Sequence, residues 1–397
     1  MKPICLLLLV VILASLTSQS QSTGLRHSPP DLVAESIDHL RNLEYDQASQ
    51  QLEIWLKSHP DDLRARNYLA ISILYQEMFH RGVLESRVYG HGGDVFKASK
   101  VDLTPEFQQE LLSVLERAQN LADQRTKSDP KDKEALYWAG VSHGTRATYH
   151  FTLRKEYMAA LHEATDAFKL HRSLLELDPN YVDAYLIVGM NNYIVGSLPW
   201  YVKAVASLSG RHGDKAEGIK QVRRVTQEGK YAREDARLML AVLYQREKMY
   251  RDALQLYEEM ERDHPRNYLL PGEVATLHGL LNEWPAAAAV DDSILQRHHS
   301  GEAGYTQIPL ERTLYYAGEA YERSEKPEAA LSRYSEAASL ASSDRYRYRA
   351  LVRAGDILVQ LHRKDEAIAY YKRVTDETPD SDEGIAARQS LQRLVVN

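Results

Sequence analysis

The stretch ARLMLAVLYQREKMYRDALQLYEEMERDHP, Ala236 to Pro265, constrains the fold more than any other part of the chain. Ala241 and Ala253 put small side chains where two antiparallel helices must approach closely. Leu240, Tyr244, Tyr250, Leu254 and Tyr257 recur at three- and four-residue steps and fill the space between those helices. Pro265 stops the second helix. The spacing returns downstream at Gly318, Tyr321, Ala330 and Tyr334, and again at Gly355, Ala367, Tyr371 and Pro379. Upstream, Tyr45, Ala48, Leu52, Trp55 and Pro60 fit a first unit, and Ala118 to Pro130 a second. Gly140 with Ala167 and Pro179 fits a third, Tyr185, Val188 and Gly189 open a fourth, and Trp284 with Ala287 marks a degenerate sixth.

In these residues the chain resembles the tetratricopeptide repeat family, whose period of about 34 residues has small residues at helix crossings, aromatics between them and a closing proline. The resemblance implies an all-α, right-handed solenoid of about eight antiparallel helix pairs, several of them lengthened. It implies a non-catalytic scaffold that binds a protein or peptide partner. Strand-like alternation bounded by turn residues is nearly absent, which argues against an α/β enzyme. Repeats contact mainly their neighbours, so one continuous superhelix is expected, with N-terminal repeats over 31–130, central repeats over 131–265 and C-terminal repeats over 266–397. The last residues, DEGIAARQSLQRLVVN, read as a solvating end helix. The net charge of -7 is mild and no Lys/Arg stripe with interleaved aromatics stands out, which argues against nucleic acid as the partner.

The N-terminus reads differently. Lys2, the apolar run ICLLLLVVILASL and the polar small-residue run TSQSQSTG have the order of a secretory signal. Residues 1–20 are therefore predicted to be a signal peptide and 21–30 a flexible lead, with the protein exported to the periplasm or secreted. An uncleaved membrane anchor is the alternative, although the apolar core falls short of the roughly 20 residues that span a bilayer. Cys5 is the one cysteine and lies inside this segment, so a mature chain would have no thiol for disulfides, nucleophilic catalysis or metal thiolates.

Two inserts interrupt the pattern. The first, 80–104, carries the loop tip His91, Gly92, Gly93 and Asp94. The second, 197–213, is apolar through Pro199, Trp200, Tyr201, Val202, Val205 and Leu208, and either packs on the solenoid or lines a pocket. Gly140 to Gly144, GVSHG, satisfies G-x-S-x-G, but a serine nucleophile needs a strained strand-to-helix turn, and KEALYWAGVSHGTRATYHF reads as helix throughout. A serine esterase is thus the least favoured reading. His143 and His150 lie two turns apart on one helix, too far to share one ion, and no carboxylate pair stands at ligand spacing. No cofactor or metal is expected. Glu258 with Glu259 and Asp291 with Asp292 read as solvated outer faces.

In the family, the first helix of each unit lines the concave groove, and inward positions carry over by offset from the crossing residue. From Ala241 these are Leu238, Val242, Gln245 and Arg246; from Gly318, Arg312, Tyr315, Glu319, Glu322 and Arg323; from Gly355, Arg349, Val352, Asp356 and Val359; from Gly189, Leu186, Met190 and Tyr193. Partner or ligand contacts are expected at Met190, Tyr193, Trp200, Tyr201, Arg246, Arg312, Tyr315 and Glu319. Tyr137, Tyr193 and Tyr315 have a simpler reading as packing between helices. The alternative function is a small-ligand-binding accessory protein of a periplasmic transport system, with the second insert closing over Tyr193 and Trp200.

Overall fold

A proline followed two residues later by an aspartate punctuates the early repeats, and each residue has its own task. Pro60 and Pro130 lie just past the ends of helices they cannot continue. The Asp62 carboxylate then accepts the Ala65 N–H at 2.9 Å, and Asp132 accepts that of Ala135 at 3.0 Å. Such N-caps contribute about 1 kcal/mol each. The computed structural model describes residues 31–84, 102–199, 213–342 and 344–396. The expected signal peptide and lead, the His91 to Asp94 tip and the Trp200 and Tyr201 pair lie outside the described residues.

The described residues form helices and no strand: α1 Leu32–Arg41, α2 Tyr45–Ser58, α3 Leu63–His80, α4 Pro105–Ser128, α5 Lys133–Tyr149, α6 Tyr157–Leu177, α7 Tyr185–Gly196, α8 Lys215–Glu228 and α9 Arg233–Arg246. They continue as α10 Tyr250–Asp263, α11 Leu269–Leu280, α12 Trp284–His299, α13 Leu310–Arg323, α14 Pro327–Ser339, α15 Arg345–Gln360, α16 Lys364–Glu377 and α17 Asp382–Val396. No described helix is long and apolar enough to cross a membrane. The chain divides into two compact units, Met1–Leu256 and Tyr257–Asn397. Within each, consecutive helices pack as antiparallel pairs in a solenoid.

One turn geometry recurs between the helices of a pair. Leu43, Gly82, Lys248, Asn282, Glu325 and His362 all have positive φ. The next residue donates its N–H to a carbonyl five residues back, as from Glu44 to His39 and from Glu283 to His278. This is a Schellman-type stop, and it persists at Asn282, where the side-chain pattern is degenerate. After α5 the same stop is widened: His150–Arg154 is a π-helix, Lys155 takes the left-handed conformation, and Glu156 reaches back to His150. The stretch read as helix through Phe151 is thus helical throughout, with a wider winding from His150.

The small crossing residues are required by contact. A Cβ on Gly140 would lie 2.3 Å from the His171 ring, and one on Gly318 or Gly355 would lie 2.6 Å from Tyr334 or Tyr371. Asp291 and Asp292 correct the sequence expectation of a solvated face. Asp291 is buried, and Asp292 binds Arg333 and accepts the Tyr321 hydroxyl, so this pair ties α12 to the pair that follows.

Candidate functional site

In the second unit α13 and α15, each the first helix of its pair, are amphipathic. On α13, burial follows Thr313, Leu314, Ala317, Gly318 and Ala320; on α15 it follows Ala350, Leu351, Ala354, Gly355, Ile357 and Leu358, with Arg347. The opposite side of these helices carries half-exposed Arg312, Tyr315 and Glu319, and from α15 Tyr346, Arg349 and Arg353. Tyr346 is the hub. Its ring lies edge-on to Tyr315 at 5.4 Å and tilted to Tyr316 at 5.6 Å, and the Tyr316 and Tyr346 hydroxyls are 3.0 Å apart. The guanidinium groups of Arg312 and Arg349 stand 5.4 Å and 5.2 Å from its centroid.

Carboxylates fix this face. Arg353 binds Glu322, which also accepts the Tyr334 hydroxyl at 3.0 Å, and it reaches Asp356 at 3.2 Å. Burial alone would lower the Arg353 pKa, but the bond to Glu322 outweighs it and the group stays firmly cationic. Arg349 and Arg345 share Glu383 of α17, at 3.3 Å and 2.8 Å. The result is a cluster of tyrosines packed edge-on and tilted beside arginines, a surface suited to aromatic, carboxylate and backbone-carbonyl groups of an extended peptide.

The expected contact residues fall into two separate sets. Arg312, Tyr315 and Glu319 share the face just described. Met190 and Tyr193 instead lie in the first unit, where both are buried. The Tyr193 hydroxyl donates to Glu247 at 2.7 Å, Glu247 is bound by Lys215 at 2.5 Å, and the Arg246 guanidinium stands 5.7 Å from the Tyr193 ring. Burial and the Glu247 carboxylate push the Tyr193 phenol up to about 12. Its polar atom is thus already engaged. Tyr346 was missed by the sequence reading, because it precedes the first inward offset counted from Gly355.

Two first helices of the first unit, α3 and α5, are different. On α3 every residue from Asn67 to Tyr75 is buried, and on α5 every residue from Tyr137 to Ser142. Such runs exceed a helical turn, so neither helix keeps an open side there. Ser142 is fully buried, lies inside a helix and donates to Asn67 at 2.8 Å, so it has neither the turn nor the access that a nucleophile requires. His143 lies 2.6 Å from Glu163, and His150 2.8 Å from Glu156. Among the described residues no three potential ligands gather to hold a metal ion.

Family models described as tetratricopeptide repeat match residues 235–267 and 315–382. No curated protein matches the chain. Solved structures similar to it include the Cut9-Hcn1 hetero-tetramer of APC/C, at 12% identity and a TM-score of 0.45 over 94% of this chain. The chain spans 57% of the length of that one. Yeast Tom70 is similar at 14% identity and a TM-score of 0.36, covering 94% of this chain and 90% of that chain. A tetratricopeptide repeat protein of Parabacteroides merdae is similar at 14% identity and a TM-score of 0.31, over 82% of this chain and 97% of its own.

Proposed function

We propose, from the tetratricopeptide-repeat models that match residues 235–267 and 315–382, that the chain is a non-catalytic interaction scaffold whose second unit captures an extended segment of a protein partner across α13 and α15. The open Tyr315, Tyr316 and Tyr346 cluster between Arg312 and Arg349 supports this reading most strongly. Aromatic and arginine side chains dominate the energetics of protein interfaces, and here they are held in place before any partner arrives. We further propose that the protein acts in the cell envelope after export, a reading that rests on the order of Lys2, the apolar run and the polar stretch.

A photo-crosslinking amino acid placed at Tyr315 tests the capture. A discrete partner band from envelope extract is expected with the label at Tyr315 and not at Arg251 on α10. Equal labelling at both positions would remove the proposal. Mass spectrometry of the mature protein tests export: an intact Met1 in the soluble cytosol would refute it.

A further inference from the structure

We infer that the face formed by α13 and α15 selects a proline-rich segment carrying lysine or arginine, with the rings of Tyr315, Tyr316 and Tyr346 receiving the prolines and Glu311 and Glu319 the basic side chains. The inference rests on the capture reading above and names the chemistry of what is captured.

Most charge on this face is engaged within the chain. Arg345 and Arg349 share Glu383, and Arg353 is bound by Glu322 and Asp356. Asp356 also accepts the Tyr371 hydroxyl at 2.7 Å, and Arg323 stands 5.6 Å from the centroid of Trp284. Two carboxylates differ. Among the described residues Glu311 and Glu319 form no ion pair and no hydrogen bond, and both are half-exposed. They lie one turn before and one turn after Tyr315 on the same row of α13. The Tyr315 hydroxyl likewise makes no hydrogen bond among the described residues. Burial raises the Tyr315 phenol above its ordinary value, and Glu319 is the largest of the charges that act on it. An acidic segment is repelled by these two carboxylates, whereas a basic one neutralises them.

The rings decide the rest. Tyr315, Tyr316 and Tyr346 stand 5.4 to 5.7 Å apart at angles of 55° to 73°, and the buried Tyr334 ring supports Tyr315 at 5.7 Å. Helix backbones bond to themselves, so a partner is bonded here by side chains, and the Glu322, Asp356 and Glu383 carboxylates are already taken. A segment with an N–H at every residue buries donors against the rings without acceptors. Proline has no N–H, and its polyproline II helix is ordered before it binds and keeps its carbonyls open to the Tyr315 hydroxyl. The spacing agrees. Two turns separate Glu311 from Glu319, roughly 12 Å along α13. Basic residues at every third position share one side of a polyproline II helix at roughly 9 Å, and their flexible stems span the remainder.

Fluorescence anisotropy of short labelled peptides on the full chain tests the class. Lys-Pro-Pro-Lys-Pro-Pro is expected to bind at least about tenfold more tightly than Glu-Pro-Pro-Glu-Pro-Pro, which reverses the charge, and than Lys-Gly-Gly-Lys-Gly-Gly, which removes the prolines. Glu311→Lys with Glu319→Lys should reverse the order of the two proline peptides and retain its circular dichroism, a reversal that a merely structural role for these carboxylates does not produce. If that variant does not fold, Glu319→Gln alone is read in its place, with at least about a threefold loss for the lysine–proline peptide. No binding of Lys-Pro-Pro-Lys-Pro-Pro, equal binding of the three peptides, preference for the glutamate peptide, or an unchanged order in the folded variant overturns the inference. Crosslinking from Tyr315 reads capture independently: a partner band beside any of those outcomes removes the chemistry and keeps the capture, and absence of the band removes both.

Discussion

Helices α5 and α13 are both first helices of a repeat, both cross their partners at a glycine, and yet their inner sides are opposite. Around Gly140 the helix is buried on every side and meets aromatic rings. Around Gly318 it is buried along one stripe and leaves Tyr315 and Glu319 half-exposed. The repeat fixes only what helix crossing needs: a small residue, an aromatic opposite it and a stop. The inner side is free to become core or to become surface, and this protein does each in one place.

The largest expected effect is on the closed side. Trp138→Ala should cost roughly 3 to 5 kcal/mol, because a fully buried indole leaves a hole its rigid neighbours cannot fill. Tyr315→Ala on the open side should cost less than half as much. Chemical denaturation of the two variants checks the ratio, and equal losses would break the contrast.

Acid should separate the units next. His171 is fully buried against Gly140, and burial lowers its pKa to about 4. The unfolded chain takes up that proton near the ordinary value of 6.5 while the folded chain refuses it, so stability present at neutral pH falls as pH drops from about 6.5 to about 4. The loss is roughly 3 kcal/mol. In the second unit, bonds to Arg347 and Arg373 outweigh burial and hold Glu377 at about 2, so its contribution, complete above the ordinary carboxylate value of 4.5, is lost as pH falls from about 4.5 to about 2. Thermal melts across pH should show the first unit weakening earlier, and His171→Leu should abolish that early step.

Gly140→Ala is expected to cost about 1 to 3 kcal/mol, since the added methyl meets a buried ring that also bonds the Ala167 carbonyl. An unchanged melting temperature would mean that the two helices do not cross there. The smallest stability effect belongs to Tyr346→Ala with Arg349→Ala, at about 1 kcal/mol or less. That double change should nevertheless abolish crosslinking of a partner from Tyr315.

The pairs themselves were legible because crossing residues, ring positions and prolines follow from backbone geometry, even where Trp284 and Ala287 were all that remained. The offset rule placed Arg312, Tyr315 and Glu319 on the half-exposed side of α13, where they lie, since an amphipathic helix shows its free side in its own spacing. It passed over Tyr346, whose role depends on neighbours from α13. The closure of α3 left one signal that went unused: NYLAISILY, Asn67 to Tyr75, carries no charge on any side of the helix. Asp291 was misread because its burial depends on packing between pairs, which a single-helix pattern does not encode.

Hydroxyl-radical footprinting of the native full chain measures the contrast between closed and open inner sides most directly. Tyr315, Tyr316 and Tyr346 should be oxidised readily, while Tyr68, Tyr75, Tyr137 and Trp138 remain protected until the protein unfolds. Comparable oxidation of the two groups in the native state would contradict it.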